Sequence, residues 1–365
     1  MKVQRVRPPN TDQVRWLVLD DEFVPIQSIC SYLMFLDDLG RSPNTIRSTA
    51  HHLKLFWEYL CDEHLCWTEM NVARLAAFIT WLRRSGTEII SIESKPARRT
   101  NATIDQILGA VHSFYQFYMR LGTIPELPLY QLSMLHRRRY KPFLHGIVKA
   151  KPEQRRVVSA KREQRLPKTL TIEQVETLID ACTHVRDKFL LTLLFQSGMR
   201  IGQVLGLKHA DLSVEDGSLQ IVPRDDNPNG ARAKTRNPYA IPALPEVMQL
   251  YTDYLIEDLG ALEVDSLPDF VFVNLWEGEI GRPMTYEAVL SLVKRLSKRT
   301  GIRFTPHMLR HTRATLWIRG KQVSLEEASR LLGHASVQTT HDTYVHLTAE
   351  GLRTALTKEG GHDVR

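Results

Sequence analysis

The stretch T-P-H-M-L-R-H (305–311), followed by L-L-G-H-A-S (331–336) and T-T-H-D-T-Y (339–344), decides how this chain is read. It sets His307, Arg310, His334 and Tyr344 within one short span. Such a set can cut a phosphodiester without a metal: an arginine fork binds phosphate oxygens, histidines exchange protons or hydrogen bonds, and a tyrosine hydroxyl attacks phosphorus. Thr305 as N-cap with Pro306 at the first helical position predicts a helix over 306–319, which places His307 and Arg310 one turn apart on the same face.

Working upstream, F-Q-S-G-M-R-I-G-Q-V-L-G-L (195–207) adds Arg200 just past Gly198, a helix-ending glycine, and A-K-T-R-N-P-Y-A-I-P (233–242) adds Lys234 ahead of an apolar strand. In this order and spacing, Arg200, Lys234, His307, Arg310, His334 and Tyr344 resemble the catalytic signature of the tyrosine recombinase (phage integrase) family. The loop D-D-N-P-N-G-A-R-A-K-T-R-N-P (225–238) is similar to that of its transposon-borne members.

The resemblance implies that Tyr344 attacks to form a 3′-phosphotyrosyl bond, with Arg200 and Arg310 clamping the non-bridging oxygens. His307 then takes the phenolic proton, Lys234 protonates the leaving 5′ oxygen, and His334 hydrogen-bonds the phosphate. The tyrosyl bond conserves the phosphodiester energy, so no ATP, metal or other cofactor is expected. A site-specific DNA recombinase or integrase of a mobile element is implied, in which four protomers assemble on two sites of double-stranded DNA and exchange strands, with accessory proteins possible. Two features depart from the family pattern. Gln203 stands where an acid is common, and the long hairpin leaves Arg232 and Arg236 as alternatives to Lys234.

Other chemistries fit the sequence less well. His307 and His311 lie four apart, as in zinc proteases, but Met308 replaces the glutamate of H-E-x-x-H. His311 is expected to cap or pack, and His341 and His346 to be exposed. Type IB topoisomerase-like relaxation would use similar chemistry without four subunits, and a non-catalytic DNA-binding protein would need no nucleophile.

Composition bounds the rest. The chain has 365 residues, more than one hydrophobic core of about 250–300 residues usually spans, so two domains are expected. No apolar run of about 18 residues and no signal-peptide pattern is present, giving a cytoplasmic, nucleoid-bound expectation with no membrane partner. Cys30, Cys61, Cys66 and Cys182 are scattered and read as buried free thiols. The net charge of +7 is localised: twelve Lys and Arg against two Glu lie between Arg137 and Lys168, a net +10, while the remainder sums to −3. A solvated linker would account for this stretch, but beside a phosphodiester site it suits DNA backbone contact.

The expected fold is mostly α (α with a small antiparallel β-sheet). As the resemblance implies, it forms a two-domain DNA clamp, a helical core-binding (SAM-like) domain plus a mixed α/β integrase-type catalytic domain. The divisions are 1–20 (N-terminal extension), 21–135 (core-binding), 136–168 (basic linker) and 169–365 (catalytic). The short extension leaves no room for an arm-site domain, so binding to core sites alone is expected. In the helical domain, Thr45 and Arg47 resemble residues at the start of a DNA-facing helix, while Phe114, Tyr115, Phe117 and Tyr118 read as bundle core. Arg137, Arg138, Arg139, Lys141, Arg155 and Arg156 are the linker residues expected on DNA. Tyr251, Tyr254 and Tyr286 read as packed tyrosines, V-F-V (271–273) as a short strand, and residues 348–358 as a helix exchanged between protomers.

Overall fold

The structure, a computed structural model, describes residues 1–7, 14–84, 99–133, 153–160, 167–235, 237–262, 267–276, 278–320, 322–334 and 336–345. Arg137, Arg138, Arg139, Lys141, Arg236, His346 and the expected exchange helix 348–358 lie outside these residues. The chain divides into two compact units, Met1–Gln164 and Arg165–Arg365. Among the described residues no helix is long and apolar enough to cross a membrane.

The first unit is a helical bundle. Residues 1–20, expected as an extension, contain a hairpin: β1 (Lys2–Val6) pairs antiparallel with β2 (Arg15–Leu19), Val3 opposite Val18. Period-2 alternation turns Val18 inward, so the hairpin packs on the bundle core instead of preceding it. Then come α1 (Gln27–Asp38), α2 (Pro43–Asp62), a 3₁₀ turn (Trp67–Glu69), α3 (Val72–Arg83) and α4 (Asn101–Arg120). The Ser42 hydroxyl accepts the Thr45 amide and Pro43 fills the first turn, which starts α2. Along α2, Ile46, Ala50, Leu53, Phe56 and Leu60 recur at helical spacing and are buried. From α4, Phe114, Tyr115 and Tyr118 are buried and Phe117 is half-buried, the core placement expected of them. The Tyr115 hydroxyl donates to the Trp67 carbonyl (2.7 Å) and that of Tyr118 to the Ser28 carbonyl (2.8 Å), which satisfies both phenols inside the apolar cluster.

A second hairpin closes this unit, β3 (Tyr130–Ser133) against β4 (Glu153–Arg156). Its second strand comes from the stretch expected as linker. Arg156, one of the expected DNA contacts, donates to the Asp105 carbonyl (3.0 Å) and carboxylate (3.2 Å) on α4. Its guanidinium therefore ties β4 to the bundle. Arg155 is exposed, as are Thr45 and Arg47, the latter lying over the Trp16 ring at 5.4 Å.

The second unit is built around α6 (Val185–Ser197), whose residues 189–195 are all buried, among α5 (Ile172–Asp180), α8 (Pro245–Tyr254) and α10 (Pro306–Arg319). Thr171 and Gln174 form a capping box on α5. The short α7 (Ile201–Val204) leads to an antiparallel meander of β5 (Leu212–Ser213), β6 (Ser218–Ile221) and β7 (Tyr239–Pro242), Leu219 opposite Ile241. A π-helical turn (Leu255–Leu259) extends α8, and α9 (Tyr286–Thr300) follows. After α10 come α11 (Leu325–Leu331) and α12 (Val337–Tyr344). Thr285, Thr305 and Ser324 accept backbone amides as N-caps at α9, α10 and α11.

Three expectations fail here. Residues 271–273 make only isolated bridges, at Phe270 with Lys208 and at Val273 with Pro283, because these buried residues pair with a different partner at each end. Tyr286, at the first turn of α9, is 44% exposed and is not a packed tyrosine. Cys61 and Cys66 are exposed, at and beyond the end of α2, and only Cys30 is buried.

Candidate active site

Arg310 sits at the centre of the candidate site, 1% exposed on α10. Its Nη1 donates to the Gly198 carbonyl (2.7 Å) and its Nη2 to the Leu332 carbonyl (2.9 Å). These acceptors lie at the C-terminal ends of α6 and α11, where carbonyls lack intrahelical partners. Gly198 ends α6 in the left-handed region (φ +63°), and a Cβ there would press on Leu332 and Trp317 at 3.2–3.3 Å. The glycine read as a helix stop thus also lets α6 approach these two side chains.

Two residues on, Arg200 caps α7. Its backbone amide donates to the Gln203 Oε1 (2.8 Å), and Gln203 Nε2 donates to the Tyr239 hydroxyl (3.0 Å). Gln203 therefore supports the arginine turn by neutral hydrogen bonds. The Arg200 guanidinium reaches the carbonyls of Leu332 (3.5 Å) and Gly333 (3.4 Å), converging on the acceptors that hold Arg310.

The histidine after Gly333 is fixed from both sides. Arg310 Nη2 lies 2.8 Å from His334 Nε2, and Thr340 Oγ1 lies 2.8 Å from Nδ1. A guanidinium only donates, so Nε2 accepts and the ring proton rests on Nδ1, directed at Thr340. The rotatable hydroxyl of Thr340 can donate instead, which permits the other tautomer when a phosphate takes Arg310. Burial, then the charges of Arg310 and Arg200, lowers the His334 pKa to about 4.

Tyr344, at the end of α12, is 4% exposed and packs with Ala314, Trp317 and Leu332. Its hydroxyl lies 2.8 Å from His311 Nδ1 and also hydrogen-bonds Arg310. Burial raises the phenol pKa, while Arg310 and Arg200 oppose the rise. The sequence placed His307 as proton acceptor and left His311 to packing. The structure instead sets His311 on the hydroxyl, with His307 edge-on behind it, ring centres 4.2 Å apart. His307 is exposed, and its pKa is lowered by desolvation among packed neighbours, then by Arg310, Arg200 and Lys234.

That electrostatic coupling brings the hairpin lysine to the site. In A-R-A-K (231–234), Ala231 and Ala233 are buried while Lys234 faces out at φ +56°, a conformation disfavoured for a non-glycine residue. Of the two alternatives, Arg232 pairs with Asp225 (3.4 Å), and Arg236 is outside the described residues. A Cβ on Gly202 would stand 2.6 Å from the Arg232 carbonyl, so glycine at this position lets the hairpin cross against α7. The six residues named from the sequence thus share one neighbourhood. The sequence reading missed Tyr239, Thr340 and the contact of His311, whose partners are set by helix packing and not by motif spacing.

The three lowered histidines have a consequence for acid stability. Their folded pKa values lie below the unfolded value near about 6.5, so the unfolded chain binds more protons in between. Their stabilisation is complete above that value and is lost as pH falls towards about 4. The urea midpoint of the full-length chain should drop between pH 7.5 and pH 5, and His334→Asn should shrink the drop. A flat midpoint over that window would contradict the prediction.

Known proteins match the chain in sequence and in fold. Residues 168–350 match the phage integrase family, and residues 29–122 match the phage integrase N-terminal SAM-like domain. Transposase A from transposon Tn554 of Staphylococcus aureus is 39% identical, over 98% of this chain and 98% of its own. Tyrosine recombinase XerD of Halalkalibacterium halodurans is 27% identical, over 86% of this chain and 90% of its own. Among solved structures, the Tn1549 transposon integrase in complex with transposon right end DNA superposes with TM-score 0.61 at 18% identity, covering 92% of this chain and 99% of that one. A lambda integrase dimer bound to a core site gives 0.58 at 17% identity, covering 86% and 93%. The chain belongs to the phage integrase family and is a tyrosine-type site-specific DNA recombinase.

Proposed function

We propose that the chain cuts and rejoins double-stranded DNA through a 3′-phosphotyrosyl bond on Tyr344, in the transposition or integration of a mobile element. The observation that carries this is the convergence of Arg200, Arg310 and His334 on the C-terminal ends of α6 and α11, beside the Tyr344 hydroxyl. Arg200 and Arg310 clamp the non-bridging oxygens and hold the charge that builds in the pentavalent transition state. His307 and His334 hydrogen-bond the phosphate, and Lys234 gives the leaving 5′ oxygen its proton. Tn554 transposase A supports the mobile-element reading by its identity along almost the whole chain.

Both domains bind the duplex, with basic residues of 136–168 on its backbone and Thr45, Arg47 and Arg155 beside it. Arg156 contributes by fixing β4. Four protomers act on two sites.

Single-turnover reactions on nicked suicide duplexes, drawn from the DNA flanking its gene, test this reading. Protein should become covalently joined to the 3′ end without added metal or ATP, and peptide mapping should place the nucleotide on Tyr344. A DNA linkage on another residue would falsify the assignment.

A further inference from the structure

The contact between His311 and Tyr344 belongs to none of the six assigned roles. We propose that His311 Nδ1, and not His307, takes the phenolic proton as Tyr344 attacks phosphorus, an inference that rests on Tyr344 being the nucleophile. Arg310 can only donate to the phenol oxygen, so the phenol's own hydrogen goes to its other partner, His311 Nδ1 at 2.8 Å. Nδ1 is thereby an acceptor in the resting protein, and the ring carries its hydrogen on Nε2.

The position follows from helix geometry. His311 comes one residue after Arg310, about 100° further round α10, which turns it towards α12 while Arg310 faces the α6 and α11 ends. Its ring is braced by His307 at 4.2 Å and 71°, so it meets the phenol in one orientation. The titratable and charged groups facing it are His307 and Arg310 from its own helix, Tyr344 from α12 and His334 from the turn after α11. Burial, then His307 and Arg310, hold the imidazole unprotonated at neutral pH, its pKa lowered to about 4, ready to accept. An incoming phosphate adds the negative charge that makes the protonated ring tolerable.

The step balances. The Tyr344 oxygen to phosphorus bond forms as the bond from phosphorus to the 5′ oxygen breaks. The phenolic proton passes to His311, a proton from the Lys234 ammonium goes to the 5′ oxygen, and rejoining runs both transfers backwards. His307, exposed and free of the phenol contact recorded for His311, is left to the phosphate.

Cleavage of the nicked duplex by His311→Ala should slow by about 10²–10⁴-fold with binding to the same duplex unchanged within about twofold. Added imidazole should restore part of the rate, and the variant should gain more than the wild type as pH rises, because its attack then waits on phenolate. Sulfur in place of the bridging 5′ oxygen removes the need for a leaving-group proton. It should rescue Lys234→Ala and leave the His311→Ala defect intact. The proposal is overturned if His311→Ala cleaves at the wild-type rate or is rescued by the sulfur substrate. A defect that neither imidazole nor raised pH relieves overturns it too, and marks a packing role. Should the alanine variant fail to bind DNA, His311→Gln, which fills the space but accepts no proton, is read in its place. Failure of the underlying reading looks different: Tyr344→Phe would then still become covalently joined to DNA.

Discussion

Tyr344→Phe should show no covalent joining to DNA while the chain still folds and binds its duplex. The ring of Tyr344 packs with Ala314, Trp317 and Leu332, and phenylalanine preserves those contacts, so α12 keeps its seat. What is lost is one oxygen, with its hydrogen bonds to His311 and Arg310. Two polar groups beside it lose a partner, which costs about 1–3 kcal/mol if water does not replace the hydroxyl. The melting temperature should fall modestly. Strand cleavage should fall below detection, because among the described residues no other hydroxyl contacts both Arg310 and His311. Affinity within a few-fold of wild type together with absent joining separates loss of the nucleophile from loss of the fold. Loss of both would mean that the hydroxyl chiefly holds α12.

Much of this was legible in the chain itself. Helix starts at Ser42, Thr171, Thr285, Thr305 and Ser324 could be read because a cap acts within three residues of itself. The six site residues could be read because each sits in a short motif. Strand β4, E-Q-R-R, carries no apolar alternation; its pairing with β3 and the Arg156–Asp105 contact define it, and both reach across the chain. The hairpin β1–β2 went unread because its first strand is mostly exposed, leaving little pattern. Thr340 and Tyr239 join the site only once α12 and β7 have packed beside α11 and α7. His311 shows the limit most plainly. Its place in the sequence was visible, yet its role depends on where α12 brings Tyr344.

Arg310→Ala should cost cleavage about 10³-fold or more, since it removes a transition-state donor worth about 10²–10³ alone and a hydrogen bond to the nucleophile. Its effect on stability should be much smaller. Arg310 is buried among two carbonyls, His334 and Tyr344, none of them a carboxylate, and burial followed by repulsion from Arg200 pushes its pKa down to about 10. The resting protein thus carries a desolvated cation whose charge is unmatched by its recorded partners. Alanine removes that burden while leaving the Gly198 and Leu332 carbonyls short of a donor, and the two effects oppose each other. Sulfate or phosphate supplies the missing negative charge, so these anions should raise the melting temperature of the wild type more than that of Arg310→Ala. Arg310→Lys keeps a charge but loses the planar fork that spans Gly198 and Leu332, and it should remain far below wild-type cleavage. Thermal shifts over an anion titration, beside single-turnover cleavage, check both halves. Equal anion stabilisation of wild type and Arg310→Ala would show that Arg310 is a packing arginine and not the receptor for the scissile phosphate.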